Sequence, residues 1–132
     1  MLQKSLAAVV GAVVAVAVVM AWQALTHMID PPPTGMNWND AAAVTAFMRA
    51  MPAWKFAVIV LGYGLAAFAG GWIASLVAKG RGWHAWVPAG LLLVGTFLNI
   101  STLWHPTWFP AACILTILAG AWLSGQVTTK KA

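Results

Sequence analysis

The chain has almost no acid. Two aspartates, Asp30 and Asp40, and no glutamate stand among 132 residues, against seven lysines and arginines, and charged residues of both signs make up only 7%. A soluble domain carries about 25% charged residues, so this chain cannot cover itself with a hydrated shell. Its residues are 62% hydrophobic and its mean hydropathy is +0.85, which makes it an integral membrane protein. No Asp, Glu, Lys, Arg or His falls in the interior of any long apolar run. Proton-coupled transport and much membrane enzymology mark themselves with such a residue, so this absence argues against both. Small multidrug-type exporters have similar length and four spans, but their embedded acid has no counterpart here.

Cysteine is nearly absent too. Cys113 alone excludes an intrachain disulfide and any cysteine-based metal cluster, and within an apolar run it reads as an inert small hydrophobe. The formal net charge is +5, yet the basic residues sit between apolar runs rather than in a patch, which excludes nucleic acid as a partner. No nucleophile–base pair or phosphate loop is visible.

What is present is four apolar runs, at about residues 5–28, 53–78, 85–104 and 108–126. Crossing a bilayer takes about 20 residues in a helix, and each run is of that order. The first continues without a charge from Leu6 through Leu25, longer than the apolar core of a secretory signal. After it, Asp30-Pro31-Pro32-Pro33-Thr34-Gly35 cannot be helical. Asn37 to Asp40 then supply N-cap candidates for a short helix at about 39–51, ending before Pro52. Its Val44, Phe47, Met48 and Met51 follow the i, i+3, i+4, i+7 pattern, while Arg49 lies elsewhere and reads as solvated. This helix is too short to span and is expected flat at the interface. Lys79-Gly80-Arg81-Gly82 is a tight basic turn, and His105-Pro106-Thr107 is a shorter connection, with Thr107 a good N-cap. The expected fold is therefore all-α: a single-domain integral membrane four-helix bundle with one short interfacial amphipathic helix in the first outer loop.

Basic residues near span ends set orientation. Four crossings place Lys4, Lys79, Arg81, Lys130 and Lys131 on one side, against Arg49 and Lys55 on the other. Both termini are then cytoplasmic. Nine tryptophans gather mostly at span ends, among them Trp22, Trp54, Trp83, Trp86, Trp104, Trp108 and Trp122, as an interfacial belt requires.

The second span carries the run GYGLAAFAGGWIASLVA from Gly62 to Ala78. Gly62, Ala66, Gly70, Ala74 and Ala78 recur every four residues, with a second row through Ala67, Gly71 and Ser75. Such a ridge lets helices approach to backbone distance and gain dispersion contact, within one chain or between copies.

Polar residues concentrate at the outer ends of spans one and three. Gln23, His27 and Asp30 share a helical face at spacings of four and three, as do Asn99 with Thr102 and Ser101 with His105. His27 and His105 reach the same membrane surface. With Asp30 they are candidate metal ligands, and two histidines can hold a haem; the plainer alternative is amphipathic side chains at the headgroups. Asn99 lies about 7 Å below Trp104 at 1.5 Å per residue, so it should turn inward and bond across helices, with Tyr63 a candidate partner.

Three stretches, HMIDPPP at 27–33, AAFAGGW at 66–72 and HPTWF at 105–109, give the chain an order of features that resembles uncharacterised small four-span bacterial membrane proteins. The resemblance implies a bacterial inner (cytoplasmic) membrane and carries no activity. Two functions follow from the residues. One is a structural, accessory or interaction role, with the bilayer and a homo-oligomer or larger membrane complex as partners. The alternative is binding or transport of a lipid-like, quinone-like or haem ligand by Gln23, His27, Asn99, Thr102 and His105, walled by Trp104 and Trp108. Enzymatic acid–base work by the histidine pair stands third. No cofactor is clearly implied.

Overall fold

The computed structural model describes residues 1–131, and side chains as far as Thr128. The Lys130 and Lys131 side chains counted in the orientation argument lie outside that description. Five α-helices follow in order: α1 (Leu2–Ile29), α2 (Ala41–Ala50), α3 (Ala53–Val77), α4 (Val87–Thr102) and α5 (Phe109–Lys131), with a 3₁₀ turn Trp83–Trp86 leading into α4. Among the described residues there is no strand. Leu2–Ile29, Ala53–Val77, Trp83–Thr102 and Phe109–Thr128 are each long and apolar enough to cross a membrane. The protein is an all-α, multi-pass membrane bundle with one short extra helix.

The ends follow local chemistry. α1 begins at Leu2 rather than near residue 5, because nothing in Gln3-Lys4-Ser5 breaks a helix. The Gln3 amide then donates to the Val77 carbonyl at 3.0 Å, satisfying one of the orphan acceptors at the end of α3. Asp40 caps α2 by accepting from the Ala42 and Ala43 amides at 3.1 and 3.3 Å. Met51 is extended, as a residue before proline should be, and α2 stops there. α3 ends in a Schellman turn: Lys79 N–H reaches Leu76 O at 3.2 Å, Gly80 N–H reaches Ser75 O at 2.9 Å, and Lys79 takes φ 59°, the position usually given to glycine. Pro88 falls in the first turn of α4, where no N–H is needed.

α3 is the central element. α1 and α5 pack along two of its sides without approaching each other within 8 Å Cα to Cα, and α4 touches all three less extensively. The small residues explain the closeness. A Cβ on Gly11 of α1 would stand 2.7 Å from the Gly70 carbonyl, and one on Gly70 would stand 2.7 Å from the Gly11 carbonyl and 3.0 Å from the Ala15 Cβ. Further along, Trp22 lies on Gly62 and donates its indole N–H to the Val58 carbonyl at 2.9 Å. On the other side Gly64 receives Thr116, Gly71 faces Ser124, and Gly120 of α5 meets the Gly64 carbonyl directly. Ala66, Ala67, Ala15, Ala89, Leu92, Ile117 and Ala121 form the buried centre. Buried Ser75 and Ser124 return their hydroxyls to Gly71 O and Ala121 O on their own helices, as a polar group without water must. Gly62, Ala66, Gly70, Gly71 and Ala74 are thus buried within one chain, so this ridge is not a free surface for a second copy.

Gly120→Ala and Gly70→Ala each place a methyl against backbone and are expected to cost about 1–3 kcal/mol, as overpacking does. Gly90 and Gly95 of α4 have open space where a Cβ would go, so Gly90→Ala and Gly95→Ala should be neutral or slightly stabilising through helix propensity. Unfolding in detergent with graded denaturant distinguishes the two pairs.

Candidate functional site

α2 stands off the bundle. None of its Cα atoms lies within 8 Å of another helix's Cα atoms, and it is held through long side chains instead. Val44 is 2% exposed, while Met48 and Met51 pack against Phe56, Val60, Phe109 and Cys113. Phe47 meets the edge of Trp38 at 6.3 Å. Arg49, expected to be simply solvated, lies over the Trp104 ring at 5.3 Å, so its charge also fastens α2 to the segment after α4.

Between α2 and the bundle lies a cavity of about 440 Å³. Gln23, Thr26, His27 and Asp30 at the end of α1 line one wall, and Lys55, Val58 and Ile59 at the start of α3 another. α2 and the Met51 that follows it supply an apolar roof of Val44, Phe47, Met48 and Met51, with Trp38 and Trp54 also in the lining. Antiparallel neighbours α1 and α3 bring Asp30 and Lys55 together as an ion pair, with side chains 44% and 27% exposed. Each charge sits at the unfavourable end of its own helix dipole, a carboxylate at a C-terminus and an ammonium at an N-terminus. Pairing offsets both, although at this exposure such a bridge contributes only about 0–1 kcal/mol. Lys55 also stands 5.7 Å from the Trp54 ring centre.

A narrow cleft of about 20 Å³, room for about one water, lies between α1 and α3. It shares Gln23, Thr26 and Ile59 with the larger cavity and reaches Trp22, Gly62 and Tyr63. The Tyr63 hydroxyl lies beside the Asn99 side chain of α4, the cross-helix pairing considered from sequence. At 1.5 Å per residue from Ala53, Tyr63 lies about 15 Å along α3. The cleft, mostly apolar in its lining, therefore extends from Gln23 and Thr26 toward the middle of the bundle.

The candidate residues do not form one site. Gln23, His27 and Asp30 line the cavity. Thr102 donates its hydroxyl to Leu98 O at 2.9 Å and serves its own helix. Trp104, His105 and Trp108 surround Phe56 in an aromatic cluster, each with its ring centre 6.4 Å from that of Phe56. His105 is stacked on Phe109 at 4.5 Å and its Nδ1 is 3.0 Å from Leu103 O, so it packs a corner instead of facing His27 across a ligand. Among the described residues no three His, Cys, Asp or Glu side chains converge as a metal set. The three-residue combination of His27, Asp30 and His105 is therefore not assembled.

Sequence reasoning passed over Lys55, Thr26 and Trp54 as site residues. Lys55 had been counted only for orientation; its position in the first turn of α3, opposite the last residue before the prolines, was the available signal. His84 was also overlooked. It is 1% exposed, and its Nε2 donates to the Gly80 carbonyl at 2.8 Å, stapling the turn between α3 and α4. No protein family, curated protein or solved structure matches this chain.

Burial lowers the pKa of His105, only partly offset by the bond to Leu103 O, so the imidazole is neutral at pH 7. The unfolded chain binds a proton near the ordinary 6.5 before the folded chain does. Stability contributed here is then present above that pH and falls as the pH drops through it. The melting temperature in detergent should decline between about pH 7 and 5, and His105→Phe, which keeps the stack, should remove that part of the decline.

Proposed function

We propose that the protein binds an amphiphilic ligand, with a polar head and an apolar tail, in the cavity beneath α2. The observation that carries this reading is the cavity itself. At about 440 Å³ it falls in the range of about 300–1,000 Å³ usual for small-molecule sites, and like them it is mostly apolar with a few polar groups, here at the facing ends of α1 and α3. With both termini cytoplasmic and a bacterial inner membrane as its home, the cavity opens at the periplasmic face of the outer leaflet, where lipid-like and quinone-like molecules present their heads. A structural or accessory role rested on the small-residue ridge; since α1 and α5 cover that ridge within the monomer, the cavity supports the ligand-binding reading better.

Native mass spectrometry of protein extracted in mild detergent should find a co-purifying amphiphile. Val44→Trp, or Ile59→Trp on the opposite wall, fills the cavity and should lower retention about tenfold, equivalent to 1.4 kcal/mol. Gly90→Ala, on an open face of α4, should leave retention unchanged. Wild-type protein that stays bare in lipid-supplemented detergent would sink the proposal.

A further inference from the structure

The cavity's charge pattern narrows the ligand. Of the two acids in the chain, Asp40 is occupied capping α2, so Asp30 is the one carboxylate in the lining, and it is paired with the one lysine there. The pair presents no net charge but a strong local dipole at the edge of a low-dielectric site. A simple anion placed there meets Lys55 and Asp30 at similar distances, and attraction and repulsion largely cancel; a simple cation fares the same. The complement of a dipole is a second dipole laid antiparallel. Both partners keep capacity for it. A carboxylate has about four acceptor positions and an ammonium three donors, so neither is saturated by the other, and both remain partly exposed, at 44% and 27%.

Resting on the ligand-site reading above, we infer that Asp30 and Lys55 recognise the zwitterionic headgroup of a lipid, its primary ammonium against Asp30 and its phosphate against Lys55. A primary ammonium is favoured over a quaternary one because the Asp30 carboxylate only accepts hydrogen bonds and an N–H donor satisfies it. The exposed imidazole of His27, on the same wall, offers the phosphate a second donor. The chain enters between Val44, Met48 and Ile59. A lipid, rather than a water-soluble zwitterion, follows from the apolar remainder of the lining.

The test uses full-length protein and four probes with identical acyl chains: phosphatidylethanolamine, phosphatidylcholine, phosphatidylglycerol and uncharged diacylglycerol. Soluble phosphoethanolamine serves as a fifth. Binding is read by native mass spectrometry and by quenching of tryptophan with brominated chains. Phosphatidylethanolamine should bind about tenfold more tightly than the other lipids, the scale of one charge-assisted contact. Asp30→Asn and Lys55→Gln, changes that remove charge at partly exposed positions, should each abolish the preference and leave diacylglycerol binding and melting temperature unchanged. Equal binding of all four lipids, still blocked by Val44→Trp, overturns the headgroup assignment while the ligand site stands. A preference that survives both substitutions, or tighter binding of phosphatidylglycerol, also overturns it. Phosphoethanolamine binding as tightly as the lipid overturns the lipid source. No binding by any probe overturns the site itself.

Discussion

Close contact between backbones along α3 is the constraint from which the rest of the structure follows. In lipid, apolar side chains gain little by meeting each other instead of acyl chains, so cohesion comes from dispersion at short range. Gly11 against Gly70, and Gly64 against Gly120, bring helices to distances that any side chain would prevent. Two small-residue rows on one helix accept two partners, which is why α1 and α5 flank α3 and do not meet. α4 has no comparable row. Its buried residues are Pro88, Ala89, Leu92 and Thr96, and it leaves Leu91, Val94, Phe97 and Leu98 exposed to lipid.

That tight seam decides the shape of the end bearing α2. Because α1 and α3 are antiparallel neighbours, the segment from Asp30 to Pro52 has a short gap to bridge and far more chain than it needs. Three prolines force it outward and α2 folds the surplus back. Asp40 at one end and Pro52 at the other set the length of α2, and its long side chains hold it at a distance. A helix propped on Met48, Met51 and Arg49 leaves space beneath it, whereas one seated on alanine or glycine would have closed that space. At the opposite end the turn from Lys79 to His84 is short, stapled by the His84 imidazole, and compact.

The apolar periodicity made the number of spans, the short fourth connection and the existence of α2 legible, since each depends on local composition. Polar residues were legible only as a concentration at one end of the bundle. His27 and His105 share a membrane surface by helix direction alone, but whether they meet depends on helix rotation and on the path of the segment from Leu103 to Trp108, which no spacing rule encodes. His105 instead turned to Phe109 and Leu103, where stacking and a backbone hydrogen bond were both within reach. Lys55 was hidden for the converse reason, because its partner Asp30 is distant in sequence and becomes adjacent only when α1 and α3 pack.

By itself, then, the sequence determined a membrane home, four helices long enough to cross, a short fifth helix and a face on α3 able to pack closely, because hydropathy, helix length and small-residue spacing are properties of single segments. Only the tertiary structure decided that α1 and α5 share that face, that Asp30 and Lys55 meet, and that a cavity lies under α2. Those outcomes depend on how helices rotate and how far their side chains hold them apart, which are properties of pairs of segments.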